Sequence, residues 1–331
     1  MRVFVAGATG ALGAPLLPLL VDAGHEVVGM TRTPAKAGDI EGLGASAAVA
    51  DGLDADAVGM AVRAAKPDVI VHQMTALSGK MDARRFDRTF ARSNRLRTEG
   101  LDHLLAAGRE VGVRRIVVQS FCGWPYARRG GFVKSEEDAL DTDPPKLLRR
   151  TLEAIRYLEH AVTTSSVIEG LVLRYGAFYG PDTGMLAEPV LAQLRRRWFP
   201  LIGDGDGWWS FLHVRDAATA TAIAVERGAP GIYNIVDDDP APVREWLPAL
   251  AETAGGRPPV RLPEWLARLA TGEHMVEMMT RGRAGSNAKA KRELRWQPAY
   301  PSWRRGFPAV LVESDPEIHI RTAEPFAGRA A

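Results

Sequence analysis

Gly7, Gly10 and Gly13 stand at the spacing G-x-x-G-x-x-G in "VFVAGATGALGAP", where an apolar run gives way to a helix-like one. Glycine permits the tight turn there, lets backbone approach a ligand, and lets helix pack closely on strand. The helix start then offers free N–H groups and the positive end of its dipole, the requirements of a bound phosphate. Thr9, Ala11 and Leu12 complete the turn, so residues 7–13 read as a pyrophosphate cradle. Pro18 is the discordant residue, because inside a helix it removes a hydrogen bond.

The next polar cluster, "GMTRTPAK", closes a second apolar run. A site for NAD commonly places a carboxylate there, about 20 residues past the glycines, to bind the ribose 2′-hydroxyl. This chain has Thr31, Arg32, Thr33 and Lys36 instead. A guanidinium suits a 2′-phosphate and gains little from a hydroxyl. The expected cofactor is therefore NADP(H), with NAD(H) as the alternative. Asp51, followed by Gly52, ends a third run and suits either the adenine amino group or a plain surface turn.

Groups so spaced need a rigid frame. Apolar runs alternate with helix-like stretches: "RVFVAG", then a helix over 14–23, "HEVVGMTR", "AAVAD" at 47–51, and "PDVIVHQ". A long helical stretch over 83–110, "RRIVVQS" and "GLVLRYG" at 170–176 follow. Continuously apolar strands separated by helices predict an α/β fold, a doubly wound parallel sheet of the Rossmann kind. Tryptophans and prolines after Gly180 predict a smaller C-terminal lobe. The expected division is a dinucleotide domain over 1–180, with 211–236 returning to it, a lobe over 181–210 and 237–314, and a tail over 315–331.

The 331 residues suffice for that plan, with 46% apolar and 25% charged residues and a net charge of +2. Such a charge gives no reason to expect nucleic acid or a membrane surface as partner. A small molecule is the expected partner, with a homodimer left open. One cysteine, Cys122, allows no intrachain disulfide and no thiolate metal cluster, and no metal is expected. With "MRVFVAG" at the start and no apolar run near the roughly 18–20 residues of a membrane helix, the expectation is a cytoplasmic protein.

Taken together, these motifs resemble the extended short-chain dehydrogenase/reductase superfamily, its epimerase/dehydratase group. "PDVIVHQMTAL" resembles the family's fourth strand and the loop over the cofactor, which puts Met74 and Thr75 beside the dinucleotide. "SNRLRTEGLDHLLAAGREVGVRRIVVQS" resembles the Asn-containing helix and fifth strand, with Asn94 in place and Gln119 near the cofactor. "LRYGAFYGP" resembles the loop meeting the nicotinamide, which implies cofactor contacts for Tyr175 and Phe178. "FLHVRDAATA" and "SNAKAKRELRWQP" resemble the return segment and the C-terminal signature helix; His213 takes the structural role of that pattern.

The family's proton relay is missing. Its pattern is a Ser/Thr after the fifth strand and Tyr-x-x-x-Lys on the next helix, the lysine lowering the tyrosine's pKa. No Tyr-x-x-x-Lys occurs here. Anchoring "TLEAIRYLEHAV" on Glu159 places Thr151 and Ile155 at the tyrosine and lysine positions, and Ser120 aligned with the first hydroxyl leaves Phe121 at the catalytic one. Tyr157 lies about 240° around the helix from Thr151 and should face away. Tyr179 and Tyr126 are the substitute proton donors to consider, with Ser120 as a cleft hydrogen-bonding group, although each tyrosine equally suits an aromatic core.

Relatives that bind nucleotide sugars carry a diphosphate-binding arginine where this chain has Trp209, beside Trp208. With Phe121, Cys122, Trp124, Thr151, Ile155, Met275 and Met279, Trp209 is expected to wall an apolar pocket. Arg281 and Arg283 suit either a substrate carboxylate or a solvated face. The resemblance therefore implies an NADP-dependent oxidoreductase acting on a small apolar or aromatic metabolite with a nonstandard proton donor. The alternatives are a redox-neutral isomerase, cyclase or dehydratase keeping its dinucleotide, and a noncatalytic NADP sensor.

Overall fold

A computed structural model describes residues 1–76, 86–181 and 183–313. The expected tail over 315–331 lies outside the described residues. Five strands come first: β1 (Arg2–Ala6), β2 (Glu26–Thr31), β3 (Ser46–Val49), β4 (Val69–His72) and β5 (Arg115–Phe121). With Glu169–Tyr175 and Gly231–Ile235 they form one parallel sheet in the order 231–235, 169–175, β5, β4, β1, β2, β3. Every residue of β4 is buried, because helices cover both faces of the sheet.

The covering helices are α1 (Gly13–Asp22), α2 (Ala37–Gly42), α3 (Ala55–Ala65), α4 (Phe86–Arg97), α5 (Glu99–Val111) and α6 (Arg149–Thr163). On one face, Leu16, Leu17 and Leu20 of α1 pack with Ala217 and Ala224 of the helix Val214–Glu226. On the other, Val58 and Val62 of α3 meet Leu101, Leu104 and, from α6, Leu158. Strand order reverses between β1 and β4. A crevice beyond the carboxyl ends of the strands is required at such a reversal, and it is where ligands of this architecture bind.

α1 runs through Pro18, as the helix expected over 14–23 does. One expectation changes in detail. The helical stretch over 83–110 is two helices in its described part, α4 and α5, because Thr98 leaves helical geometry at φ −100° and ψ −82°. Its hydroxyl donates to the Asn94 carbonyl at 3.2 Å, the kind of back-bonding that bends helices. The lobe has its own core, built around Tyr179, Phe211, Trp246, Met279, Trp303 and Phe307. Among the described residues no helix is long and apolar enough to cross a membrane.

Candidate functional site

At the strand reversal lies a cleft of about 440 Å³, with Gly7, Thr9, Gly10 and Ala11 on one side. Gly7 has φ +94°, and a Cβ there would come within 2.7 Å of the Gln73 backbone. A Cβ on Gly13 would lie 2.3 Å from the Gly7 carbonyl oxygen. Only glycine fits either place, so the cradle is built for close approach of a phosphate to backbone. Leu12 is buried in the sheet core and Gly13 is buried in the first turn of α1. Both support the turn without lining the cleft.

Thr31, Arg32, Thr33 and Lys36 line the outer end of the cleft. The Thr31 hydroxyl accepts the Thr33 N–H at 3.3 Å and so shapes the turn. Arg32 and Lys36 are exposed, and their side chains form no hydrogen bond or ion pair among the described residues. Asp51, Gly52, Met74 and Thr75 line the opposite wall. Arg92 of α4, which no sequence motif marks, donates to both Asp51 oxygens at 2.8 and 2.6 Å. Burial would raise the Asp51 pKa, but the Leu53 N–H and the Arg92 guanidinium outweigh it and hold the carboxyl below its usual range.

The wall behind Met74 is held by buried polar groups. His72 Nε2 donates to the Leu96 carbonyl at 3.0 Å, and its Nδ1 accepts the Met74 N–H at 3.2 Å. Burial drives its pKa down to about 4, so the ring is a neutral brace. Gln73, another lining residue without a sequence signal, donates to the Tyr175 hydroxyl at 3.2 Å. That hydroxyl lies 2.7 Å from Thr221 Oγ1, and the Tyr175 ring packs on Phe178 at 5.4 Å. Gln119 donates to the Met74 carbonyl at 3.2 Å. Gln119, Tyr175 and Phe178 are not among the residues lining this cleft; Gln119 and Tyr175 are joined to its wall through Met74 and Gln73.

Of the residues nominated for proton transfer, Ser120 and Tyr126 are tied into buried hydrogen bonds, and the buried Tyr179 hydroxyl has no hydrogen-bond partner among the described residues. Ser120 donates to Glu159 Oε1 at 2.7 Å, and Arg174 donates to the same carboxylate at 2.8 and 2.5 Å. Arg174 also donates to the Tyr126 hydroxyl at 3.0 Å, and Tyr126 donates to Asn234 Oδ1 at 2.6 Å. All five side chains are buried, and burial pushes the Tyr126 pKa up. Tyr179 sits in the lobe core, edge-on to His213 and Phe307 at 5.1 Å each, again with its pKa pushed up by burial. Ser120 and Tyr126 thus sit in one buried hydrogen-bonded network, and Tyr179 sits apart from them in an aromatic cluster.

α6 carries the other two relay positions. Thr151 is buried; its hydroxyl donates to Asp87 at 3.0 Å and accepts from Asn94 at 3.0 Å. Ile155 is buried and apolar. Tyr157 points outward and donates to Asp102 at 2.7 Å, as its helical position requires.

Beyond the sheet, Phe121, Cys122, Trp124, Trp208, Trp209, Met278 and Arg283 surround a cavity of about 20 Å³, room for one water molecule. Trp209 is held from behind. Its indole N–H donates to the Met278 carbonyl at 2.9 Å, and its ring lies 4.8 Å from Trp246 in the lobe core. Met279 is fully buried in that core and Met275 packs against it, so Met278 takes the wall position expected of them. Burial pushes the Cys122 thiol up to about 12, an inert state. Arg281 is ion-paired with Glu277 at 2.6 Å. Arg283 donates only to carbonyls, those of Arg281, Gly282 and Arg128 at 2.9, 3.2 and 3.0 Å.

Comparison with known proteins agrees with this frame. The model of the NAD dependent epimerase/dehydratase family matches residues 3–236. The chain belongs to that family. A relative described as a 3-diazoavenalumate denitrifying reductase, from a Streptomyces species, is 42% identical over 92% of this chain and 99% of its own. The UDP-glucose 4-epimerase of Thermotoga maritima has the same fold, with a TM-score of 0.75 at 20% identity over 98% of this chain and 100% of that one. The NAD complex of the Thermus thermophilus UDP-glucose 4-epimerase gives 0.70 at 25% identity, again over 98% and 100%. The protein is thus an enzyme of the NAD(P)-dependent short-chain dehydrogenase/reductase class, an oxidoreductase. Its glycine cradle is intact, and no Tyr-x-x-x-Lys occurs in the chain.

Proposed function

We propose that this enzyme is an NADP(H)-dependent reductase whose acceptor is a small aromatic molecule that takes a hydride without a proton from the protein. The observation carrying this reading is a cleft fit for the cofactor beside expected relay positions held by Thr151, tied to Asp87, and Ile155, with Ser120 tied to Glu159. Arg32 and Lys36, whose side chains form no hydrogen bond or ion pair among the described residues, supply the charge a 2′-phosphate calls for. Reducing a ketone requires protonation of its oxygen as the hydride arrives, and neither Thr151, bonded to Asp87, nor Ile155 can provide that proton.

A diazo-bearing aromatic carboxylate, the type of compound in the name of the 42% identical relative, meets the condition. When bound, the reduced dinucleotide supplies a hydride, so that an arenediazonium and NADPH give the arene, dinitrogen and NADP⁺, with no proton left to place. The chain's own part is to hold the ring beside the nicotinamide and exclude water, with the hydrophobic wall of Phe121, Trp124 and Met278. The test is to mix the protein, NADPH and an arenediazonium carboxylate and follow NADPH absorbance together with gas and arene. Dinitrogen and arene formed mole for mole with NADPH oxidised are expected. Product without NADPH oxidation would favour a redox-neutral enzyme, and faster turnover of simple aryl ketones would overturn the proton-free reading.

A further inference from the structure

Phe132 rests its ring on Trp208, with centroids 5.6 Å apart and planes 16° from parallel. The Arg283 guanidinium lies over the same Phe132 ring, 5.1 Å from its centroid. Trp208 and Arg283 both line the small cavity next to Phe121 and Trp124. That cavity holds about 20 Å³, whereas pockets for small molecules run from roughly 300 Å³ upward. An aromatic acceptor can enter only if part of the wall gives way.

The wall is unequally held. Trp209 is fixed by its Met278 hydrogen bond and by Trp246. Phe132 is 48% exposed and follows Gly130, at φ +67°, and Gly131, on a segment whose next residues pair with Ala284 and Gly285. Its ring does not itself line the cavity but covers two residues that do, Trp208 and Arg283, and it is the neighbour of theirs that moves at least cost. Arg283, for its part, carries a charge that no carboxylate among the described residues neutralises, and its Nε is buried without a partner. A half-buried cation of this kind gains from an anionic ligand.

We infer that Trp208 and Arg283 form a slot for a flat aromatic ring bearing an acid group, and that Phe132 occupies this slot until the ring of the substrate displaces it. The inference rests on the aromatic acceptor proposed above and names the residues that select it. It also reverses the expected division of labour between the adjacent tryptophans: Trp209 belongs mainly to the lobe core, and Trp208 is the stacking surface.

The test measures binding of 4-hydroxybenzoate and 4-hydroxybenzamide by calorimetry, on the full chain saturated with NADP⁺. Removing an internal competitor for the stack, Phe132→Ala should tighten 4-hydroxybenzoate binding roughly three- to tenfold. Trp208→Ala should weaken it by about the same factor or more, and Trp208→Phe should restore most of the loss. Arg283→Met should erase the preference for the acid over the amide. NADP⁺ affinity and the unfolding transition serve as controls for folding. Phe132→Ala binding the acid no tighter than the parent, or both Trp208 variants binding like the parent, would overturn the slot. Because no turnover is involved, slot binding as expected with no NADPH oxidation sinks only the proposed reaction. Turnover with unaltered binding in these variants sinks only the slot.

Discussion

Arg32 and Lys36 stand on the cleft rim as cations whose side chains form no ion pair among the described residues, Arg32 acting on Asp51 only through its charge at a distance. A charge-assisted contact to a 2′-phosphate is worth about 1.5–3 kcal/mol. Arg32→Ala should accordingly weaken NADPH roughly ten- to a hundredfold and leave NADH nearly unchanged, as read by calorimetric titration. Equal losses for the two cofactors would assign Arg32 to the turn itself. Thr151 poses the opposite case, a polar side chain whose partners are both internal. Thr151→Val leaves Asp87 and Asn94 each short of a bond, which should cost about 1–3 kcal/mol of stability. The hydride step should change by less than about tenfold, since a lost acid–base group costs more than that. A larger fall in kcat with the fold intact would return Thr151 to the chemistry. What was legible at this scale was local. The cradle glycines are read from neighbours in sequence, whereas the fate of the Ser120 and Tyr126 protons depends on Glu159 and Asn234, far along the chain.

Between elements, the decisive contact is the Glu159–Arg174 pair, which binds α6 to the strand 169–175 and, through Ser120, to β5. Both partners are buried. Breaking such a pair by removing one member leaves an uncompensated charge and costs about 3–5 kcal/mol. Arg174→Met should therefore lower the unfolding midpoint steeply, while Arg174→Met with Glu159→Leu should recover much of the loss. Urea titrations showing the double variant to be as unstable as the single one would argue that the pair is needed for packing rather than for charge balance. Apolar continuity made the sheet strands visible beforehand, because strands covered on both faces admit few polar residues. The same rule hid Glu159 and Arg174, whose burial is tolerable only because each satisfies the other. The break at Thr98 was equally hidden, since it depends on a hydroxyl turning back onto its own helix.

Across the whole molecule, sheet and lobe are joined where the chain leaves the last strand, at Asp237. Its N–H donates to the Phe211 carbonyl at 2.7 Å, and its carboxyl accepts the N–H groups of Phe211 at 3.4 Å and Trp303 at 3.1 Å. Burial raises the Asp237 pKa from 3.8 to about 8, the nearby Asp239 charge adding to the rise and the two N–H groups opposing it. The folded chain thus holds this proton more tightly than the unfolded one. Its contribution to stability is complete below about pH 3.8 and is lost as pH rises through about 8. Three buried histidines have the opposite sign: burial lowers His72 and His213 to about 4 and His274 to about 3. Their contribution is lost as pH falls below the ordinary histidine value, so the raw profile mixes both trends. The informative quantity is the difference between the parent and Asp237→Asn, which keeps the acceptor oxygen and cannot titrate. The parent's unfolding temperature should fall relative to the variant's from about pH 4 to pH 8 and run parallel to it below that range. Parallel profiles through the neutral range would mean that Asp237 stays ionised in the fold, its charge borne by the Phe211 and Trp303 N–H groups.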